Sequence, residues 1–144
     1  CGSLPSPRGA AALGWVIDSS VLIAGERQAA DLEALLATHA SEAVVMASIT
    51  ASELLEGVHR ADTERRRAAR EAFVENLLAL VPVVPFDLRV ARAHARLRSR
   101  LPRAAAVGAH DLIIAATAVA LDFGVLTRDR RSFPRIPDLD VVLC

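Results

Sequence analysis

Lysine and tyrosine are missing from this chain of 144 residues, so arginine carries all of its fixed positive charge. Without lysine, neither a receiver module nor an aspartate-nucleophile phosphatase has its usual group for holding a phosphoryl. Aromatic residues are scarce, one Trp and four Phe, which argues against a platform on which nucleobases stack. The two cysteines stand at positions 1 and 144. They form no disulfide framework and no metal-ligand spacing, and they fit a reducing, cytoplasmic setting. Formal net charge is zero, from 17 basic and 17 acidic residues, so any contact with nucleic acid must rest on local patches. The apolar run from Leu112 to Leu121 has about half the length of a membrane-spanning helix. No glycine-rich phosphate loop occurs, which removes the usual nucleotide cradle.

What is present is a globular composition, 53% apolar and 24% charged, of a size for one domain. The Pro/Gly/Ser-rich "CGSLPSPRG" lacks the apolar centre of a signal peptide. Residues 1–14 are expected to be a disordered or vector-derived lead-in, and residues 15–144 the domain. "LGWVI" predicts a buried strand ending at Asp18, followed by a helix from "SSVLIAG" continued by "ADLEALLATHA". "EAVVMAS" predicts a second strand. "TASELLEGVHRA" predicts a helix with Thr50 as N-cap and Glu53 three residues on, a capping box. A longer helix, "DTERRRAAREAFVENLLAL", comes next. The prolines of "VPVVPF" point to a strand at a sheet edge. "DLRVARAHARLRSRL" predicts a helix capped by Asp87. "AHDLIIAATAVALDF" predicts another, closed by Gly124 as a left-handed cap. "VLT" and "DVVLC" complete the strands. Short apolar strands alternating with helices imply an α/β fold, a central parallel sheet flanked by helices on both faces.

In such folds, sites form at the carboxyl ends of the strands. Asp18 directly follows the first strand, and Asp129 comes just after the fourth, in "LTRD". Glu53 is expected in the first turn of the helix after the second strand, and Asp111 in the first turn of the apolar helix. Singly, each acid could serve as a cap, a dipole partner or a turn residue. Together they crowd four carboxylates at one edge, where they cannot all stay ionised without a counter-charge. A divalent cation supplies one, and an all-oxygen set without a His or Cys cluster selects Mg²⁺ or Mn²⁺.

"VIDSSVLIAGE", "ITASELLEGV" and "HDLIIAATAVALDFGVLTRDRRSF", in that order, resemble the PIN domain of the VapC toxins of type II toxin–antitoxin systems. The resemblance runs from about Trp15 to the C-terminus. It implies a PIN-like three-layer sandwich and a Mg²⁺- or Mn²⁺-dependent endoribonuclease. It also implies neutralisation by a cognate VapB-type antitoxin and a homodimeric state. By motif, Asp18, Glu53, Asp111 and Asp129 match the family's acidic quartet, as metal ligands and catalytic groups. Ser19, Ser20 and Thr127 match its small hydroxyl positions. Ser132 departs from the pattern, since many relatives carry a polar or acidic residue there, and leaves Asp129 the only acid of its loop.

Phosphodiester hydrolysis suits this residue set, because bound divalent cations can activate water and stabilise the leaving oxygen without a histidine. His110, beside Asp111, is read as a neighbouring group. Arg128, Arg130 and Arg131 adjoin the acids and are the expected phosphate contacts. The arginines at 65, 66, 67 and 70 and at 89, 92 and 96 are read as solvated helix faces. An apolar groove near Leu32–Leu36 and Leu54–Leu55 is the expected antitoxin seat. The alternative to an enzyme is a non-catalytic PIN-like binding module.

Overall fold

The computed structural model describes residues 2–3, 12–105 and 107–144. Its strands are β1 (Gly2–Ser3), β2 (Gly14–Ile17), β3 (Ala43–Ala47), β4 (Val83–Val84), β5 (Gly124–Thr127) and β6 (Val141–Leu143). They form one sheet in the order β1-β6-β5-β2-β3-β4. Every pairing is parallel except β1 with β6. The helices are α1 (Ser19–Arg27), α2 (Ala29–Thr38), α3 (Ser48–His59), α4 (Glu64–Leu80), α5 (Leu88–Arg100) and α6 (Ala109–Leu121).

Successive strand residues point to opposite faces, and that alternation builds two cores. Val16, Ala47, Val125 and Val141 face one core with residues of α5 and α6. Their neighbours Ile17, Met46, Leu126 and Val142 face the other with residues of α1 to α4. This is the expected sandwich of helices, parallel sheet and helices. Strand β4 lies at the sheet edge between Pro82 and Pro85, where the missing N–H groups interrupt no central ladder. Asp87 caps α5, its Oδ1 accepting from the Val90 N–H at 3.0 Å.

Three local expectations need correction. The first helix is two: Gln28, at φ −128° and ψ 61°, separates α1 from α2. At Gly25 a Cβ would come within 2.5 Å of the Leu32 side chain, so the two helices close tightly there. The capping box at Thr50 and Glu53 is not formed. Strand β3 runs straight into α3, which starts at Ser48 with Ala47 as N-cap. Thr50 is thus in the first turn and fully buried, and Glu53 is in the second turn. Nor does Gly124 cap α6. Asp122 takes the left-handed conformation at φ 58°, and Gly124 opens β5. Glycine is needed there for space: a Cβ would stand 2.4 Å from Trp15 Cζ3 and 2.9 Å from the Asp140 carbonyl oxygen.

Of the expected lead-in, residues 1 and 4–11 lie outside the described residues. Gly2 and Ser3 pair with Leu143 and Val142.

Candidate active site

The register that sets Ile17 beside Leu126 brings the ends of β2 and β5 together. Asp18 follows Ile17 and is buried at 3% exposure. Its Oδ2 accepts hydrogen bonds from Ser20 Oγ at 2.6 Å and Thr127 Oγ1 at 2.9 Å. Thr127 Oγ1 in turn accepts from the Asp129 N–H at 2.9 Å, and Ser20 Oγ from the Arg128 N–H at 3.1 Å. These hydroxyls tie the start of α1 to the loop after β5, and they satisfy a carboxylate that burial would otherwise penalise.

Asp129 organises its own loop. Its Oδ1 accepts from the N–H groups of Arg131 at 2.7 Å and Ser132 at 3.2 Å, the geometry of an Asx turn. Burial pushes this carboxyl up, but hydrogen bonds from those two N–H groups and from the Ser132 hydroxyl outweigh it, and the nearby Arg131 charge acts with them. The group is held below the usual aspartate range.

Glu53 enters from α3. Ser19 Oγ donates to its Oε2 at 3.2 Å, and His110 Nδ1 lies 3.2 Å from its Oε1. Asp111 is in the first turn of α6, as expected, yet it is no cap, for Gly108 holds that position. Its carboxyl is pushed above the ordinary value. Burial is the main cause, the Ser132 hydroxyl opposes it, and the charges of Asp18, Asp129 and Glu53 add to it. All four acids therefore share one electrostatic cluster at the carboxyl edge of the sheet, with Ser19, Ser20 and Thr127 bonded into it.

The arginines divide. Arg131 acts on Asp129 through its charge, whereas Arg128 lines a pocket with Val21, Leu32 and Cys144. Arg66 pairs with Asp62 and Arg67 with Glu64, but Arg67 is half-buried and Arg70 reaches Glu26 and the Gly57 carbonyl, so this stripe is only in part the solvated face expected. Two contacts were not legible in the sequence. Ser132 stands between Asp111 and Asp129, and His110 reaches Glu53. The Asp-x-x-Ser spacing of an Asx turn is the one signal for the first; His110 offers none.

Among the described residues no three His, Cys, Asp or Glu side chains converge closely enough to hold a metal ion as they stand. The expected ligands are gathered but not closed into a coordination sphere. Several of their oxygens are engaged by Ser19, Ser20, Thr127, His110 and backbone N–H groups. The chemistry of the set, carboxylates and hydroxyls throughout, still fits a hard divalent cation.

Comparison with known proteins agrees with this architecture. Residues 15–139 match the PIN domain family. Ribonuclease VapC of Rickettsia bellii is 32% identical over 131 residues, covering 90% of this chain and 96% of the relative. The DNA-bound VapBC structure from Salmonella typhimurium superposes with a TM-score of 0.80 at 25% identity, covering 90% of this chain and 97% of that one. VapBC-5 from Mycobacterium tuberculosis gives 0.71 at 30% identity, covering 92% and 99%. The chain belongs to the PIN-domain family, within its VapC branch.

Proposed function

We propose that this chain is a metal-dependent endoribonuclease toxin that hydrolyses RNA phosphodiester bonds in the cytoplasm and is neutralised by a cognate VapB-type antitoxin. One observation carries the reading. Four acids from four separate segments lie near one sheet edge, close enough for the charges of the other three to weigh on Asp111 though not converged as a ligand set. Folding tolerates such repulsion when function requires a counter-ion there. Asp18, Glu53, Asp111 and Asp129 would hold Mg²⁺ or Mn²⁺. When bound, such an ion neutralises phosphate charge and makes water a nucleophile near neutral pH. Ser20 and Thr127 fix the Asp18 carboxylate, and Ser132 steadies Asp111. Arg130 and Arg131 flank the cluster as phosphate contacts, with Arg128 beyond them. The likeness to ribonucleases of the VapC family supports the choice of substrate. Among the described residues no helix is long and apolar enough to cross a membrane.

At the expected antitoxin seat Leu32 and Leu54 are buried, but Leu35 and Leu36 are half-buried, Leu55 is exposed, and Leu32 and Leu35 line an open pocket with Val21 and Arg128. A second apolar surface lies elsewhere. Leu80, Val83, Phe86 and Leu88 are exposed around edge strand β4. We assign the homodimer contact to that edge, where apolar surface and the open side of an edge strand coincide.

The test is cleavage of end-labelled RNA by the purified chain. Cuts that need Mg²⁺ or Mn²⁺, vanish with EDTA and vanish on adding the antitoxin support the proposal. RNA binding with no cleavage at any metal concentration would leave a binding module instead.

A further inference from the structure

His110 is the residue next to the site whose contact the functional reading does not use. Its ring comes from the first turn of α6, directly before Asp111, and its Nδ1 lies 3.2 Å from Glu53 Oε1. On the other side of the same carboxylate, Ser19 Oγ donates to Oε2 at 3.2 Å. Glu53 is thus hydrogen-bonded at one oxygen from α1 and closely approached at the other from α6, while its own backbone belongs to α3. The histidine side chain is 54% exposed and the glutamate 25%, so the contact lies at the mouth of the cluster. A carboxylate oxygen only accepts, so a hydrogen bond closing this 3.2 Å approach would have Nδ1 as its donor. Each oxygen keeps a further lone pair for a cation or its water.

We propose that His110 is a positioning residue. With Ser19 it fixes the orientation in which Glu53 meets a divalent cation, and it takes no part in proton transfer. The inference rests on the functional reading above and deepens it. Partners that aim metal-ligating carboxylates matter nearly as much as the ligands themselves.

The test uses Mn²⁺ alone, its binding to the full chain measured by the electron paramagnetic resonance of the free ion. Asparagine places its amide nitrogen about where histidine has Nδ1; glutamine places its own about where histidine has Nε2. His110→Ala should weaken Mn²⁺ binding by about tenfold or more. His110→Asn should restore most of the affinity and His110→Gln should not. Unchanged or tighter binding in His110→Ala would overturn the inference, and so would rescue by Gln in place of Asn. Asp111→Asn separates the two levels of argument. If that variant loses Mn²⁺ while His110→Ala keeps it, only the role of His110 falls. If the unaltered chain binds no Mn²⁺, or Asp111→Asn binds as well as it does, the functional reading falls and takes this inference with it.

Discussion

Replacing Asp111 by Asn separates a structural role from a functional one. The substitution keeps the shape of the side chain and removes its charge. A first-turn acid gains about 0.3–1 kcal/mol from the helix dipole, and that gain would be lost. Against it stand burial and the charges of Asp18, Asp129 and Glu53, which together raise the Asp111 pKa above its ordinary 3.8. The direction of that shift decides the balance: the neutral form is favoured more in the folded chain than in the unfolded one. The folded state therefore binds this proton more tightly than the unfolded state. Stability falls as pH rises from the ordinary aspartate value through the raised one, and stays lower above it. Asp111→Asn lacks this decline. In EDTA at pH 7 its melting temperature should match that of the unaltered chain or exceed it. With Mn²⁺ the order should reverse. Saturating metal at about a hundred times its Kd stabilises a competent site by about 2.7 kcal/mol, and the variant should forgo most of that. RNA cleavage should fall by about a hundredfold or more. Thermal melts at pH 5, 7 and 8, with and without Mn²⁺, measure all of this. A variant that melts lower in EDTA yet keeps the whole Mn²⁺ shift would refute the reasoning.

Thr127→Val removes a buried donor to Asp18 and an acceptor for the Asp129 N–H; urea unfolding should show a loss of about 1–3 kcal/mol, and an unchanged midpoint would contradict the network. Gly124→Ala should cost about 1–3 kcal/mol by overpacking, and the loss should shrink when Trp15 is also changed to Leu, since its ring is the nearest obstacle. Glu42 is held below its usual 4.5, first by His39 and then by the indole N–H of Trp15. Its contribution is present above that value and lost as pH falls through the lowered one. Fluorescence of the sole tryptophan should follow this acid-side titration, and Glu42→Gln should flatten it. Phe86→Asp with Leu88→Asp should yield monomers by light scattering without loss of helix content; an unaltered dimer would move the interface elsewhere.

Where the sequence was informative, the informative feature was period and punctuation. Short apolar runs separated by helical spacing announced a parallel sheet covered on both sides, and the prolines around Val83–Val84 announced its edge. Asp18 and Asp129 were placed by chain order alone, because Asp18 directly follows one strand and Asp129 comes just after another, beyond Arg128. The failures share a cause. The Thr50–Glu53 spacing satisfies a capping box, but the sharp passage from β3 into α3 starts the helix earlier and turns Thr50 into the core. Gly124 satisfies a C-cap pattern, but its missing side chain makes room for Trp15, more than a hundred residues away in the chain. Both are cases where tertiary packing overrides a local signal. The contacts of Ser19 and His110 with Glu53 join three helices, and no spacing within any one of them encodes that.

The four acids, equivalent by position at the sheet edge, are unequal in how they are held. Asp18 has two hydroxyl donors, Asp129 has two backbone N–H groups and the Ser132 hydroxyl, and Glu53 has a hydroxyl and an imidazole. Asp111 competes with Asp129 for the one proton of the Ser132 hydroxyl, against its burial and the charge of all three others. Repulsion among the acids is mutual, and at Asp111 it adds to burial. A dication entering the cluster would lower the free energy most at Asp111, where charge is least compensated. Metal affinity should accordingly respond more to the loss of Asp111 than to the loss of Asp129, whose charge is already balanced by its own loop. Equal losses of Mn²⁺ binding in Asp111→Asn and Asp129→Asn would show that proximity to the ion, and not this imbalance, sets the contribution of each acid.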